Sequence, residues 1–264
     1  MISIILVAYK PEMKKLINVL DLIGNDLQII LVNNSENLSL DKFKFKNNIT
    51  IINSANNGNG AAINLALEKI TTKYAIYLDI DVEFKKDFIK KISHQASTID
   101  KFGVLVPDHG NLKSKNLQIE KYEGEASVML FNLDIFKKRN LFDEAYFLYF
   151  EEQDLFQYCK KKNIKVIFLS GLQIKHHRAS SVSYDQKDLS YLRSWHYTWS
   201  MFFFYKKNFS YLMAVKKTFL ILLNDLIMII FYLISFNLKF LKIRFFRVFG
   251  LLSSVIGLKS FLRP

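Results

Sequence analysis

Cysteine is nearly absent. Cys159 stands alone among 264 residues, so no disulfide can form within the chain, and a reducing compartment such as the cytoplasm is the simplest setting. Internal repeats and long low-complexity tracts are also missing. No Gly-Lys-Ser/Thr closes the glycine-rich stretch near residue 58, and Gly-x-Gly-x-x-Gly does not occur there, which excludes a Walker loop and a dinucleotide fingerprint. The apolar start, Met1-Ile2-Ser3-Ile4-Ile5-Leu6-Val7, has no basic residues ahead of it and soon meets Lys10-Pro11, so it is expected to be a first strand and not a signal peptide. Acids are outnumbered, 24 Asp and Glu against 37 Lys and Arg, for a net charge of +13. Such a charge favours an anionic partner: nucleic acid, a membrane surface or a phosphorylated substrate. The lysines are spread over many segments and no nucleic-acid motif is present, so nucleic acid is not the expected partner.

Half the residues are hydrophobic, enough for a sizeable core. Ser3 to Ala8 is a near-continuous apolar run, as in a strand buried on both faces of a parallel sheet. A helical stretch from Pro11 through Leu16, Leu20 and Ile23 stops at Gly24-Asn25, and strands are expected at Leu27–Val32 and Ile49–Ile52. Strand, helix, strand with short polar breaks predicts an α/β chain with a Rossmann-like sheet. Glycines 58 and 60 lead into a helix running to about Ile70. Such a turn lets backbone approach a phosphate or sugar, and it is equally a plain helix start.

The run Tyr74–Val82 reads as a buried strand carrying Asp79 and Asp81 at its end. If the strand runs straight through, both carboxylates share a face. Carboxyl ends of strands are where open α/β sheets bind ligands, and paired oxygen donors suit Mg²⁺ or Mn²⁺ with a diphosphate. Two aspartates that merely end a strand and cap the next helix are the plainer alternative. A helix from Lys85 to about Ser97, a strand at Gly103–Pro107, a polar loop at Asp108–Tyr122 and a strand at Gly124–Phe131 follow. An aromatic segment, Phe142 to Phe150, then delivers Glu151-Glu152-Gln153-Asp154 at the start of a helix through Cys159. Those acids favour a helix N-terminus, and acids beside aromatics also suit general-base work. Val166–Leu169 is the last expected strand, and His176-His177-Arg178 beyond it is a candidate metal or phosphate contact.

From Trp195 the composition shifts to an aromatic belt before Lys206-Lys207. Thr218–Phe236 is apolar apart from Asn224 and Asp225, and Lys239, Lys242, Arg244 and Arg247 follow among aromatics. The run is about long enough to span a bilayer, but Asp225 and two basic flanks favour helices lying in an anionic interface, or a shallow hairpin. An apolar hairpin packed on the protein's own core is the alternative. The expected division is a domain over residues 1–210 and a membrane-associating helical segment over 211–264.

In order and spacing these motifs resemble those of inverting GT-A glycosyltransferases of the large family 2, which includes bacterial rhamnosyltransferases. Val7-Ala8-Tyr9-Lys10 is similar to the first-strand element, Val32-Asn33-Asn34-Ser35 to Val-Asp-Asn-x-Ser, and Asn56-x-Gly58-Asn59-Gly60-x-x-x-Asn64 to the family's glycine turn. Leu78-Asp79-Ile80-Asp81 stands at the Asp-x-Asp position. Phe142-Asp143-Glu144 with Phe147-x-Tyr149-Phe150-Glu151-Glu152-x-Asp154-Leu155 resembles the family's late acidic motif, and His176 with Ser180 and Ser181 its His…Ser element.

The resemblance implies a GT-A fold and an inverting, metal-dependent hexosyltransferase of bacterial surface polysaccharide synthesis. It implies a nucleotide pocket at Ala8, Tyr9, Asn33, Asn56, Gly58 and Asp79, and Mg²⁺ or Mn²⁺ on Asp79, Asp81 and His176. Glu152 would be the catalytic base, with Glu151 competing for that role. Gly124, Glu125, Glu151 and Asp154 would border the acceptor. dTDP-rhamnose is the donor to which the resemblance points. A glycan or lipid-linked acceptor at the cytoplasmic side of the plasma membrane fits the basic, apolar C-terminus. The second reading is a non-catalytic basic binding protein on a degenerate transferase fold. Three positions depart from the family pattern: Asn33 and Glu152 replace aspartates, and Tyr158 stands where Arg is usual.

Overall fold

The computed structural model describes residues 1–36, 38–40, 43, 48–109, 116–136, 140–176 and 189–263. They form two compact units, one of Met1–Phe142 with Leu155–Tyr184, the other of Asp143–Asp154 with Asp185–Pro264.

The first unit is a mixed sheet with helices on both faces. Its strands are β1 (Ile2–Ala8), β2 (Gln28–Asn33), β3 (Ile49–Asn53), β4 (Tyr74–Leu78), β6 (Phe102–Asp108), β7 (Gln118–Glu120), β8 (Val128–Asn132) and β9 (Lys165–Gln173), in the order β3-β2-β1-β4-β8-β6-β9-β7. β3, β2, β1 and β4 pair in parallel, as do β6 and β9, while β8 and β7 run against their neighbours. Alternation along each strand sorts side chains into two cores. Ile4, Leu6, Ile76 and Leu78 pack with Leu16 and Leu20 of α1 (Met13–Ile23) and Phe88 and Ile92 of α3 (Phe88–Thr98). Ile5, Ile30, Tyr77 and Met129 pack with Ile63 and Leu67 of α2 (Asn59–Lys69) and with Leu155, Phe156 and Cys159 of α4 (Glu151–Lys161). Cys159 is a core residue, and burial pushes its thiol up to about 12.

Two expectations need correction. The Tyr74–Val82 run does not continue as one strand: β4 ends at Leu78, a turn bonds the Val82 N–H to the Asp79 carbonyl at 3.3 Å, and a separate β5 follows at Val82–Glu83. The polar Asp108–Tyr122 stretch contains a strand, because β7 completes the sheet edge against β9.

The glycine-turn motif ends in a structural residue. Asn64 is buried on α2; its Oδ1 accepts the N–H groups of Leu141 and Phe142, each at 3.0 Å, and its Nδ2 donates to the Phe142 carbonyl at 2.9 Å.

In the second unit α5 (Ser190–Asn208), α6 (Tyr211–Ile234) and α7 (Leu238–Val255) pack together. The aromatic belt is largely core here: Trp195, Trp199, Phe202 and Phe204 are all buried. Gly250 lets α7 meet α5, since a Cβ there would lie 2.2 Å from the Trp195 carbonyl oxygen. Asp225 is buried and paired with Arg244 at 2.6 Å and Arg247 at 2.8 Å, so the one acid of α6 is compensated by α7.

Replacing Asn64 by Leu keeps the volume but strips three buried backbone groups of their partner. Urea unfolding is expected to show a loss of about 2–4 kcal/mol, with Asn64→Ala similar.

Candidate active site

Parallel pairing gathers the sequence-selected residues of the first unit at the carboxyl ends of its strands. Ala8 ends β1 opposite Asn33 of β2, Asn33 is opposite Asn53 of β3, and β4 ends immediately before Asp79. Asn33 is buried and its side chain is fully occupied: Nδ2 donates to the Leu38 carbonyl at 2.8 Å and to Asn53 Oδ1 at 2.9 Å, while Oδ1 accepts the Ser35 N–H at 3.1 Å. A carboxylate could not donate to Leu38, which is a physical reason for asparagine where the family has aspartate. Tyr9 is half-buried and follows Ala8; Asn56 Oδ1 accepts the Gly58 N–H at 3.3 Å, and Gly58, at φ 102°, takes a left-handed turn that favours glycine.

Asp79 and Asp81 lie on the turn after β4. The missing third group arrives from far along the chain, because β10 (Lys175–His176) pairs antiparallel with β5 and sets His176 opposite Val82. His176 Nε2 is 3.2 Å from Asp81 and 3.9 Å from Asp79, and one ligand atom from each of the three residues lies within 4.8 Å of the others. Two carboxylates and an imidazole this close make a donor set that fits Mn²⁺ or Mg²⁺. His177, Arg178, Ser180 and Ser181 lie outside the described residues.

The electrostatics match a site short of positive charge. Burial pushes Asp79 up to about 6, with Asp81 adding to the rise while the Tyr77 hydrogen bond and His176 oppose it. The hydrogen bond to Asp81 holds His176 above its ordinary value, against burial.

Four residues that sequence reasoning missed support this set. Asn59 Nδ2 donates to the Tyr77 hydroxyl at 2.8 Å, and that hydroxyl donates to Asp79. Tyr77 stands two residues before Asp79, the strand spacing for one face, and that was the available signal. The Asp79 N–H donates to the Ser127 carbonyl at 2.9 Å, and Ser127 Oγ lies 3.2 Å from His109 Nε2. The His109 ring meets His176 edge-on at 5.8 Å. Only folding brings those two together. Glu125 is exposed and acts on His176 through charge; Gly124 adopts φ +133°, where a Cβ would meet the Phe168 ring at 3.2 Å.

In the second unit, the acids at the start of α4 separate into different environments. Asp154 is buried, and its carboxylate accepts from Lys207 at 2.5 Å and from Asn208 at 2.7 Å. Glu151 is buried, whereas Glu152 is partly exposed. Tyr149 and Phe150, both at φ 68°, immediately precede them. Consecutive left-handed aromatic residues are strained, and such strain is concentrated at functional sites.

A sheet with antiparallel β8 inserted among parallel strands, and acids after the fourth strand, defines the GT-A class of glycosyltransferase fold. The family model described as glycosyl transferase family 2 matches residues 3–167, and the chain belongs to that family. It is 23% identical over 196 residues to the low-salt glycan biosynthesis hexosyltransferase Agl10 of Haloferax volcanii, covering 62% of this chain and 63% of that protein. The chain thus spans less than two thirds of that relative's length. Among solved structures it resembles the mannosyltransferase PcManGT of Pyrobaculum calidifontis in complex with GDP-Man and Mn²⁺, at TM-score 0.59 and 10% identity over 96% of this chain and 86% of that one. It also resembles S. aureus TarS 1-349 in complex with UDP, at TM-score 0.53 and 18% identity over 75% of this chain and 64% of that one. At these identities the likeness to solved structures establishes the fold.

A raised Asp79 means that the folded, metal-free protein holds this proton more tightly than the unfolded chain, so the group's contribution to stability falls as pH rises from about 4 through about 6. A metal ion held by these residues would reverse that trend by favouring the carboxylate. Mn²⁺ is expected to raise the melting temperature at pH 7.5, the increment shrinking below about pH 6, and Asp81→Ala is expected to abolish it.

Proposed function

We propose that this protein transfers a hexose from a nucleotide diphosphate sugar to an acceptor hydroxyl with inversion at the anomeric carbon. The observation that carries the reading is the Asp79–Asp81–His176 set following β4 in a chain of glycosyl transferase family 2. Those three residues would hold Mn²⁺ or Mg²⁺, which when bound supplies charge neutralisation to the departing diphosphate. Tyr77 and Asn59 orient Asp79 for that task. Ala8, Tyr9, Asn56 and Gly58 border the nucleoside, and Asn33 shapes the pocket from beneath through its internal hydrogen bonds.

Glu152 is the base of this reading. Its support is its place in the late acidic motif, its partial exposure beside buried Glu151, and the strained turn that precedes it. It takes the acceptor proton as the hydroxyl oxygen attacks the anomeric carbon and the bond to the diphosphate oxygen breaks. dTDP-rhamnose remains the donor proposed from the family likeness, and synthesis of bacterial surface polysaccharide the proposed setting. The hexosyltransferase Agl10 and the GDP-Man and UDP complexes of the similar proteins make other hexose donors the first comparisons.

Membrane attachment is proposed for the second unit. α6 has 24 residues and is the one helix among the described residues long and apolar enough to cross a bilayer, with little of its apolar window buried. Its partner α7 carries Lys239, Lys242, Arg244 and Arg247, and the turn between them exposes Ile234 at 74% and Phe236 at 86%. Lys239 and Lys242 on that arm, beside an Arg244–Arg247 pair held by Asp225, favour a hairpin in the interface over a span, with the lysines at the lipid phosphates on the cytoplasmic side.

Glu152→Gln should stay folded and bind nucleotide yet lose transfer by about 100-fold or more; wild-type turnover in a donor panel of dTDP-, UDP- and GDP-sugars refutes the base assignment, and no turnover by the wild type on any donor favours a non-catalytic binding protein. Wild-type protein should sediment with phosphatidylglycerol vesicles, and Phe231→Ser with Ile234→Ser and Phe236→Ser should abolish that without lowering the melting temperature.

A further inference from the structure

Among the described residues, one of the three cations of α5, Lys207, has an anionic partner. Lys207 is held by Asp143 at 2.7 Å and Asp154 at 2.5 Å, and Lys206 lies over the Tyr211 ring at 6.0 Å. On α7, Arg244 and Arg247 are paired with Asp225, and Lys242 sits 3.9 Å from the Tyr191 ring centroid. Arg193 forms no ion pair among the described residues and is partly buried; burial holds the Tyr149 hydroxyl above its ordinary value, with Arg193 opposing that rise and Glu151 adding to it. Tyr149 meets Tyr197 edge-on at 5.8 Å, and Arg193 and Tyr197 lie four residues apart on α5, the spacing of one helix face. Arg247 reaches the same Tyr197 ring at 5.8 Å. The strained Tyr149–Phe150 turn therefore presents a phenol and a guanidinium directly before the Glu151–Glu152 pair.

We propose that Tyr149, Arg193 and Tyr197 form an acceptor subsite that binds the phosphate of an amphiphilic, lipid-linked acceptor beside Glu152. A guanidinium fork matches phosphate oxygens in a bidentate way, and tyrosines offer a hydroxyl and a ring face to a sugar. The donor's own phosphates fall to the metal set of the first unit, so a second cationic site in the unit that carries the proposed base and an exposed apolar hairpin calls for a second anion on a greasy substrate. This rests on the transferase reading.

The test uses the full chain in EDTA, which keeps the metal set out of the measurement, and farnesyl phosphate as probe with farnesol as its neutral control, both below micelle concentration. Wild-type protein is expected to prefer the phosphate. Arg193→Gln should erase that preference, roughly tenfold or more in affinity, at an unchanged melting temperature, while Lys86→Gln, at an exposed lysine of the first unit, should keep it. Equal losses in both variants would mean diffuse surface charge, and no preference in the wild type, or full preference in Arg193→Gln, would overturn the subsite. Displacement of the probe by phosphatidylglycerol vesicles as readily as by farnesyl phosphate itself would identify a bulk-lipid contact and likewise overturn the acceptor assignment. Mn²⁺-dependent nucleotide diphosphate binding, measured on the same preparation, tests the transferase reading separately: its loss alongside an intact phosphate preference would sink that reading and not the site.

Discussion

Two carboxylates on one turn repel each other, and the first unit is arranged around holding them together. Asp79 and Asp81 are kept in place by groups drawn from four parts of the chain. Asn59 acts through Tyr77, Ser127 takes the Asp79 N–H, and His176 approaches both acids. The delivery of His176 depends on a two-residue antiparallel pairing with β5, and that pairing exists because β4 stops at Leu78 and the chain turns before Val82. The turn sets Val82–Glu83 apart as a short strand of its own, and β10 pairs with it. The break in the strand is thus what converts an acid pair into a three-donor set.

The second unit separates acids by their partners. Asp225 and Asp154 are buried and each is met by cationic side chains, which makes them structural charges whose loss would strand a lysine or arginine. Glu152 keeps access to solvent behind a strained aromatic turn. The same sorting applies to asparagines. Asn64 and Asn33 sit in motif positions shared with the family, yet both spend their amides on internal bonds, Asn64 fixing the chain at Leu141–Phe142 and Asn33 closing the loop after β2. Motif membership therefore marks residues that build the site as well as residues that would touch its ligands.

Much of the architecture was legible in residue order. Apolar runs marked β1 to β3 within a residue, and for β1 and β2 the reason is that a parallel strand buried on both faces has no choice but to be apolar. The Asp79–Asp81 pair and His176 were each identifiable by type and by position after strands. The family likeness extended over residues 3–167, where backbone and motif constraints are shared. Less was legible where burial decides meaning. Composition cannot tell aromatic core from aromatic surface at Trp195, Trp199 and Phe202; helix α7, closing on α5 at Gly250, made them core.

By itself the sequence determined most of the strand and helix order, the acid-rich turn and the apolar, basic C-terminus, which follow from local pattern and periodicity, and the family, which follows from the order and spacing of its motifs. Tertiary structure alone decided which polar groups meet. His109 reaches His176, Asp225 reaches α7, Asn64 reaches Phe142, and Arg193 and Glu151 act on the same Tyr149 hydroxyl. The physical reason is that pairing energies act between groups close in space, and residues far apart in the chain acquire that closeness only when the sheet register and helix packing are in place.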